Sequence, residues 1–191
     1  GHVTGVQTCA LPILSDHGLA TAVGSTLTSS TSVTVNNGTF ADGDTLTLAG
    51  SGAFTVNDLV ADLVATTATG VLSVAAVDSV SITTGTNNAS ISEAVDKTAT
   101  VNAAALADGK TLTTTGEGGF TITNLLGDLS NSASGAVTVT LSDNGVSGAV
   151  GATLTSSTSV TVNNGAFADG DTLTLAGAGA FTVNGLKADL V

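Results

Sequence analysis

From residue 14 to residue 191 the sequence contains no cysteine and no proline, and arginine, methionine, tryptophan and tyrosine are missing from its whole length. Without cysteine pairs a small disulfide-stapled scaffold is excluded, and no thiol is available as a nucleophile. The basic residues number 3, all lysine, against 15 acidic ones, for a formal charge of -12. Phosphate backbones are repelled by such a chain rather than neutralised, so nucleic acid is excluded as a partner. Long apolar runs are also missing. The least polar stretch, Leu63 to Val77, is broken by Thr66, Thr67, Thr69, Gly70 and Ser73 and falls short of the roughly 20 apolar residues of a membrane-spanning helix.

Catalytic equipment is equally sparse. His17 is the one general base left outside the first residues, and the matching position further along holds Asn144. With no arginine and no oriented nucleophile–base pair, neither covalent catalysis nor oxyanion stabilisation can be assembled. The chain is therefore expected not to be an enzyme and to carry no cofactor. Aromatic residues amount to 3%, all phenylalanine, which leaves few platforms for stacking on a sugar.

What the sequence does contain is threonine, serine, glycine and asparagine interleaved with alanine, valine and leucine, and this interleaving repeats. Residues 14–64 match residues 141–191 at an offset of 127, with 42 of 51 positions identical. A third, more distant copy lies between them. Thr34–Leu63, Thr100–Leu129 and Thr161–Leu190 align at spacings of 66 and 61 residues. The array is expected to form one domain over 14–191, cut within a repeat at both ends. Before it, Val3–Ile13 reads VTGVQTCALPI, a string that resembles the in-frame translation of a sequencing adapter. The repeat identity fails at Ile13/Thr140, where that string ends. Residues 1–13 are accordingly expected to be a non-biological, unstructured leader.

Within each copy apolar residues alternate with Thr, Ser or Asn, the two-residue period of a half-buried strand. Val33/Val35, Leu46/Leu48 and Phe54/Val56 form one inward set, continued by Leu72/Val74, Val80/Ile82, Ala89/Ile91, Ala99/Val101, Phe120/Ile122 and Val137/Val139. Gly, Asn-Gly and Asp-Gly turns separate the segments. Two all-β architectures fit. A sandwich needs about 100 residues, more than one repeat provides, so tandem small β-sandwich repeats are the alternative. A parallel β-solenoid with coils of about 20 residues is preferred. It buries strands against neighbouring coils and needs few large side chains. Three coils per repeat, and six per 127 residues, would set Phe54, Phe120 and Phe181 in one column about 15 Å apart at about 4.8 Å per coil.

Some residues qualify as candidate sites. Asp42/Asp44 and Asp169/Asp171 occur in ADGD, and this spacing can offer two oxygen ligands to Ca²⁺. The middle copy reads ADGK, with Lys110 in the second carboxylate's place, and the same tetrapeptide is an ordinary Asp-Gly turn. Leu59/Asp62/Leu63, Leu125/Asp128/Leu129 and Leu186/Asp189/Leu190 share an L-x-x-D-L spacing, read either as one helical turn or as a corner with leucine docked and aspartate solvated. Thr45/Thr47, Thr111/Thr113 and Thr172/Thr174 form T-x-T pairs opposite the inward leucines. They resemble the rows of ice-binding repeats, although in sequence they recur once per repeat rather than once per coil.

The repeat ADGDTLTLAGSGAFTVNDLVADLVATTATG, with its counterparts at 107–136 and 168–191, resembles the β-strand repeats of very large secreted bacterial surface proteins: adhesins, filamentous haemagglutinin-like stalks and β-roll-associated segments. The resemblance implies an extracellular or cell-surface location and a structural or adhesive role, with neighbouring repeats and a surface glycan or other surface protein as partners. A glycan- or Ca²⁺-binding module is the alternative, and an ice-binding solenoid a more remote one.

Overall fold

The computed structural model describes His2, Val3 and residues 12–191. Among these residues there are 19 strands and no helix. In chain order they begin with β1 (His2–Val3), β2 (Gly24–Thr28), β3 (Val33–Asn36), β4 (Thr45–Gly50), β5 (Phe54–Leu59), β6 (Asp62–Ala68) and β7 (Leu72–Ala76). Next come β8 (Val80–Thr83), β9 (Ala89–Glu93), β10 (Thr98–Asn102), β11 (Thr111–Gly116), β12 (Gly119–Leu125) and β13 (Asp128–Asn131). The last are β14 (Val137–Leu141), β15 (Gly151–Ser156), β16 (Val160–Asn163), β17 (Thr172–Ala176), β18 (Phe181–Asn184) and β19 (Asp189–Leu190).

Every pairing between these strands is parallel and joins strand n to strand n+2, apart from β1, which lies beside β2. The even-numbered strands, with β1 at their edge, make a 10-stranded sheet, and the odd-numbered strands from β3 make a 9-stranded one. The chain thus alternates between two sheets, one strand on each per turn. The result is a parallel β-solenoid of about 8 turns with about 21 residues per turn. Tandem sandwiches, built from antiparallel pairs, are overturned by this topology.

The period-2 pattern explains which way each side chain points, since residues i and i+2 share a face. The inward set lines up from coil to coil. On the even sheet Leu63, Ile82, Val101, Ile122, Val139, Val162 and Val183 are successive partners. On the odd sheet Val33, Phe54, Leu72, Ala89, Leu112 and Leu129 are. They join one continuous hydrophobic core that runs the length of the stack. Its narrowness is why small residues serve: Ala61, Ala65, Ala99, Ala103 and Ala133 are fully buried. Phe54 and Phe120 point into the core beside buried Val56 and Ile122, while Thr55 and Thr121 are exposed. Phe181 and Val183, in the last full coil, are only partly covered.

The expected single column of phenylalanines is not what forms. Phe54 lies on β5 in the odd sheet, whereas Phe120 and Phe181 lie on β12 and β18 in the even sheet. The 66-residue step spans seven strands, or three and a half turns; the 61-residue step spans six strands, or three turns. Only Phe120 and Phe181 share a column, through Val137 and Val160. The 127-residue period is therefore six and a half turns, not six. Near-identical sequence occupies opposite sheets: TLTLAG is on the even sheet as β4, and TLTLA is on the odd sheet as β17. Physically, both sheets offer the same environment, an inward face on a shared core and an outward face in solvent, so the unit of construction is the half-turn.

The expectation of an unstructured leader falls largely on residues 1 and 4–11, outside the described residues. Of the remainder, His2 and Val3 pair with Thr26 and Leu27. Ile13 bridges Asn36, and the Asn36 N–H donates to the Pro12 carbonyl at 2.9 Å. Ile13 takes the place relative to Asn36 that Thr140 takes relative to Asn163, although the sequences there are unrelated.

Candidate functional site

The A-D-G-D turns illustrate how the polar residues are used. In each copy the fourth residue's N–H donates to the alanine carbonyl three residues earlier: Asp44 to Ala41 at 3.1 Å, Lys110 to Ala107 at 3.0 Å and Asp171 to Ala168 at 3.2 Å. The glycine between has φ of +90°, +71° and +96° respectively, the left-handed conformation that the third position of a type II turn requires. Asp44 is buried, and both its oxygens accept backbone hydrogen bonds, Oδ1 from Val23 N–H and Oδ2 from Ala41 N–H, each at 2.9 Å. Asp171 does the same with Val150 N–H at 3.0 Å and Ala168 N–H at 2.7 Å. Each carboxylate closes its own turn and staples it to the preceding coil. Asp42 and Asp169 share those turns but are exposed. In the middle copy, where Lys110 replaces the aspartate, the Ala107 N–H donates to the Thr86 carbonyl at 3.2 Å. There the Asn88 side-chain oxygen accepts the Thr111 N–H at 2.9 Å, where the outer copies have a backbone bond from Thr45 to Val23 and from Thr172 to Val150. Among the described residues no group of three or more His, Cys, Asp or Glu is placed to hold a metal ion.

The L-x-x-D-L segments are corners between strands, not helical turns. Leu59 ends β5 and Leu63 lies in β6; both are buried, as are Leu125 and Leu129. The chain gets round the corner through a β-bulge, with a register shift between Val56 and Leu59 and another between Ile122 and Leu125. Asp58, Asn124 and Gly185 at the equivalent positions all have positive φ, +54°, +57° and +62°. Asp, Asn and Gly are the residues that tolerate this conformation, which accounts for the variation D/N/G there. Asp62 Oδ1 accepts the Ser81 N–H at 2.9 Å and Asp128 Oδ1 the Thr153 N–H at 2.8 Å, again linking one coil to the next. In the third copy Leu186 and Leu190 are exposed on the final coil.

His17 is an exposed turn residue with φ of +54°, matched by Asn144 at +51°. In both turns the following glycine N–H is accepted by the preceding aspartate, Asp16 at 2.9 Å and Asp143 at 3.0 Å.

Several buried polar residues carry coil-to-coil linkages that sequence reasoning missed. Asn37 donates to Phe40 O at 2.6 Å and its Oδ1 accepts Val60 N–H at 2.9 Å and Ala61 N–H at 3.1 Å. Asn164 repeats this with Phe167 O, Lys187 N–H and Ala188 N–H. The doubled asparagine of TVNNG in the outer copies, against TVNAA in the middle one, was the available signal. Asn131, also buried, accepts from Thr114 Oγ1 at 2.7 Å and donates to Ser156 Oγ at 2.9 Å and Thr158 Oγ1 at 2.8 Å. On the outside, Asn57–Asn36, Asn124–Asn102 and Asn184–Asn163 form amide ladders at 3.1 Å.

Thr84, whose buried Oγ1 has no partner, and Glu93 depart from this pattern of satisfied polar groups, and the ionisable one is Glu93. It is 1% exposed; Oε1 accepts Ala94 N–H at 3.0 Å, while Oε2 has no partner. Burial pushes its carboxyl up to about 7; the Ala94 N–H opposes this, Asp78 adds to it and Lys97 counters it. Near it a solvent-open trough of about 400 Å³ is floored by Gly118, Gly119 and Gly135 and edged by Asp96, Lys97 and Glu117. Lys97 is tied to Asp78 at 2.7 Å, a pairing that lowers the aspartate's pKa and raises the lysine's.

The T-x-T pairs do not themselves form rows: Thr45, Thr111 and Thr172 are paired with Asp62, Asp128 and Asp189 of the next coil, and the longer hydroxyl rows run through other residues, with Thr113 as the shared member. On the even sheet Thr100, Thr121, Thr138, Thr161 and Thr182 are successive outward partners. On the odd sheet Thr34, Thr55, Ser73, Ser90, Thr113 and Ser130 are. Along these two rows a hydroxyl recurs at every coil, while the T-x-T pairs themselves recur once per repeat, on β4, β11 and β17. Protein-family models, curated proteins and solved structures were all compared with the chain, and none matches it.

Proposed function

We propose that this chain is a structural, stalk-like repeat segment of an extracellular surface protein, whose task is to hold length and present faces rather than to perform chemistry. One observation carries the reading. Of the four aspartates that sequence nominates as metal ligands, Asp42 and Asp169 are exposed, while Asp44 and Asp171, like the corner aspartates Asp62 and Asp128, accept backbone N–H groups of a neighbouring coil. Their chemistry is used in stacking. The continuous core and the lack of cysteine over residues 14–191 suit a chain that crosses an envelope unfolded and folds outside, which supports the location. An adhesive role, with a surface glycan or another surface protein as ligand, belongs to the same proposal.

Mechanical pulling between the two termini tests the structural part. A load-bearing stack, stabilised between nearest neighbours, releases in steps of about one turn, or roughly 70 Å of contour at about 3.4 Å per residue. Collapse in one low-force event would contradict it. Retention of beads coated with the chain on bacterial or host cells under flow, against beads coated with an unrelated acidic protein, tests the adhesive part.

A further inference from the structure

The outward face of the even sheet between β8 and β18 carries no formal charge, in a chain whose net charge is -12. Along it runs the row Thr100, Thr121, Thr138, Thr161, Thr182, preceded by Ser81. Two residues further along each strand a second row begins with Thr83, Asn102 and Thr123 and ends with Asn163 and Asn184. The acidic residues lie in turns and corners instead. The spacing is about 4.8 Å along the stack and about 6.6 Å along the strands, twice the rise per residue. Pairing is in register throughout the first row; the one irregularity, between Ile122 and Leu125, interrupts the second row after Thr123. None of the five threonine hydroxyls in that row has a hydrogen-bond partner among the described residues, whereas Thr123 Oγ1 in the second row reaches Val101 O at 3.4 Å.

We propose that this face binds a crystalline water lattice, that is, ice. Each threonine contributes a methyl, which orders first-shell water, and a free hydroxyl, which anchors it by hydrogen bonding. A partner for such a grid must itself repeat in two dimensions at the scale of single hydrogen bonds. A flexible peptide has no such period, and a glycan would be held by aromatic platforms that this face lacks. A second copy of the chain brings a further -12 charge. The strands of this face carry no charged side chain, which would impose its own hydration shell; Asp96, Lys97 and Glu117 stand in the turns at its edge, lining a trough with Thr121 and Thr138. This function lies beyond the structural role proposed above and does not depend on it.

The test uses the full chain and ice itself: retention on a slowly growing ice surface, together with inhibition of recrystallisation in frozen sucrose. The wild type is expected to be retained and to inhibit. The triple variant Thr121→Lys, Thr138→Lys, Thr161→Lys is expected to lose both while keeping its circular dichroism spectrum. Should that variant not fold, Thr138→Val with Thr161→Val, which keeps shape and methyls, is expected to reduce inhibition. Lysines on the odd sheet at Thr55 and Thr113 are expected to leave it unchanged. A wild type excluded from ice, a folded lysine variant as active as wild type, or equal loss from the odd-sheet lysines would overturn the proposal. So would self-association abolished by the even-sheet lysines, which would make a second copy the occupant.

Discussion

Neutral pH should destabilise the coil that contains Glu93, and removing its carboxylate should relieve this. Glu93 is paired in register with Ala76 on one side and Gly116 on the other. Ser29 and Ser156 hold the equivalent place beneath Gly50 and Gly177 in the outer copies, where each serine hydroxyl donates to a carbonyl two residues on, at 2.9 Å and 2.8 Å. A Cβ on Gly118 would strike the Glu93 side chain, so the carboxyl is closely covered. Its ordinary value of 4.5 rises to about 7 in the fold. Below pH 4.5 the group is neutral whether folded or unfolded, and the shift has no effect on stability. Between about 4.5 and 7 only the unfolded chain ionises, so stability falls as pH rises; above 7 the loss is complete. At about 1.36 kcal/mol per unit the full loss is about 3 kcal/mol. Glu93→Gln removes the charge, and Glu93→Ser supplies the residue the other copies use. Urea unfolding at pH 4.5, 6 and 8, with hydrogen exchange at Glu117 and Gly118, whose N–H groups both donate to the Glu93 carbonyl at 3.1 Å, reads the effect. The variants should gain on wild type as pH rises, with most of the gain present by pH 7. A wild-type-to-variant difference that stays constant from pH 4.5 to 8 would refute the reasoning.

Phe120→Ala should cost about 3 to 5 kcal/mol, and Phe181→Ala clearly less, because Phe181 is only partly covered; thermal or urea melts compare them. Asp44→Ala leaves the Val23 and Ala41 N–H groups without their acceptor, at a cost of about 1 to 3 kcal/mol for each that stays buried, measured by the same melts. Calorimetric titration with Ca²⁺ should show no binding tighter than the millimolar range of weak extracellular sites, and a stoichiometric isotherm abolished by Asp42→Asn with Asp169→Asn would contradict this. Asn37→Ala should loosen the turn that carries Val60 and Ala61, seen as faster exchange of those two amides.

Much of the fold was open to a reading of the sequence because a strand's inward and outward residues follow a period of two, broken only locally by the bulges at the corners and in the β4–β6 pair. Each inward pair from Val33/Val35 to Val137/Val139 lies on the core side. Which sheet a strand joins was not legible, because that depends on how many corners intervene, and corners vary in length. From Leu72 to its partner Ala89 is 17 residues, and from Leu129 to its partner Leu154 is 25. An average coil length therefore miscounts by half a turn over 66 residues and assigns Phe54 to the column of Phe120, although the two lie on opposite sheets. The Asp pairs are plain in the sequence, but sequence does not distinguish a carboxylate aimed at a cation from one aimed at the N–H of Val23, 21 residues earlier. A single glutamate at the end of ASISE reads, from sequence, as a solvated strand end. The period of two that puts Ala89 and Ile91 inward puts Glu93 on the same side, and the structure shows that the corner covers it rather than leaving it in solvent.

The half-turn construction is tested most directly by distances between spin labels on exposed threonines, with Cys9→Ser removing the native thiol. Labels replacing Thr121 and Thr182 should lie on one face three coils apart, about 14 Å at the backbone. Labels replacing Thr55 and Thr121 should be farther apart, three and a half coils along the stack and on opposite sheets across a core about 10 Å thick. Equal separations for the two pairs would contradict the half-turn offset, and separations of many tens of ångströms for both would contradict the solenoid itself.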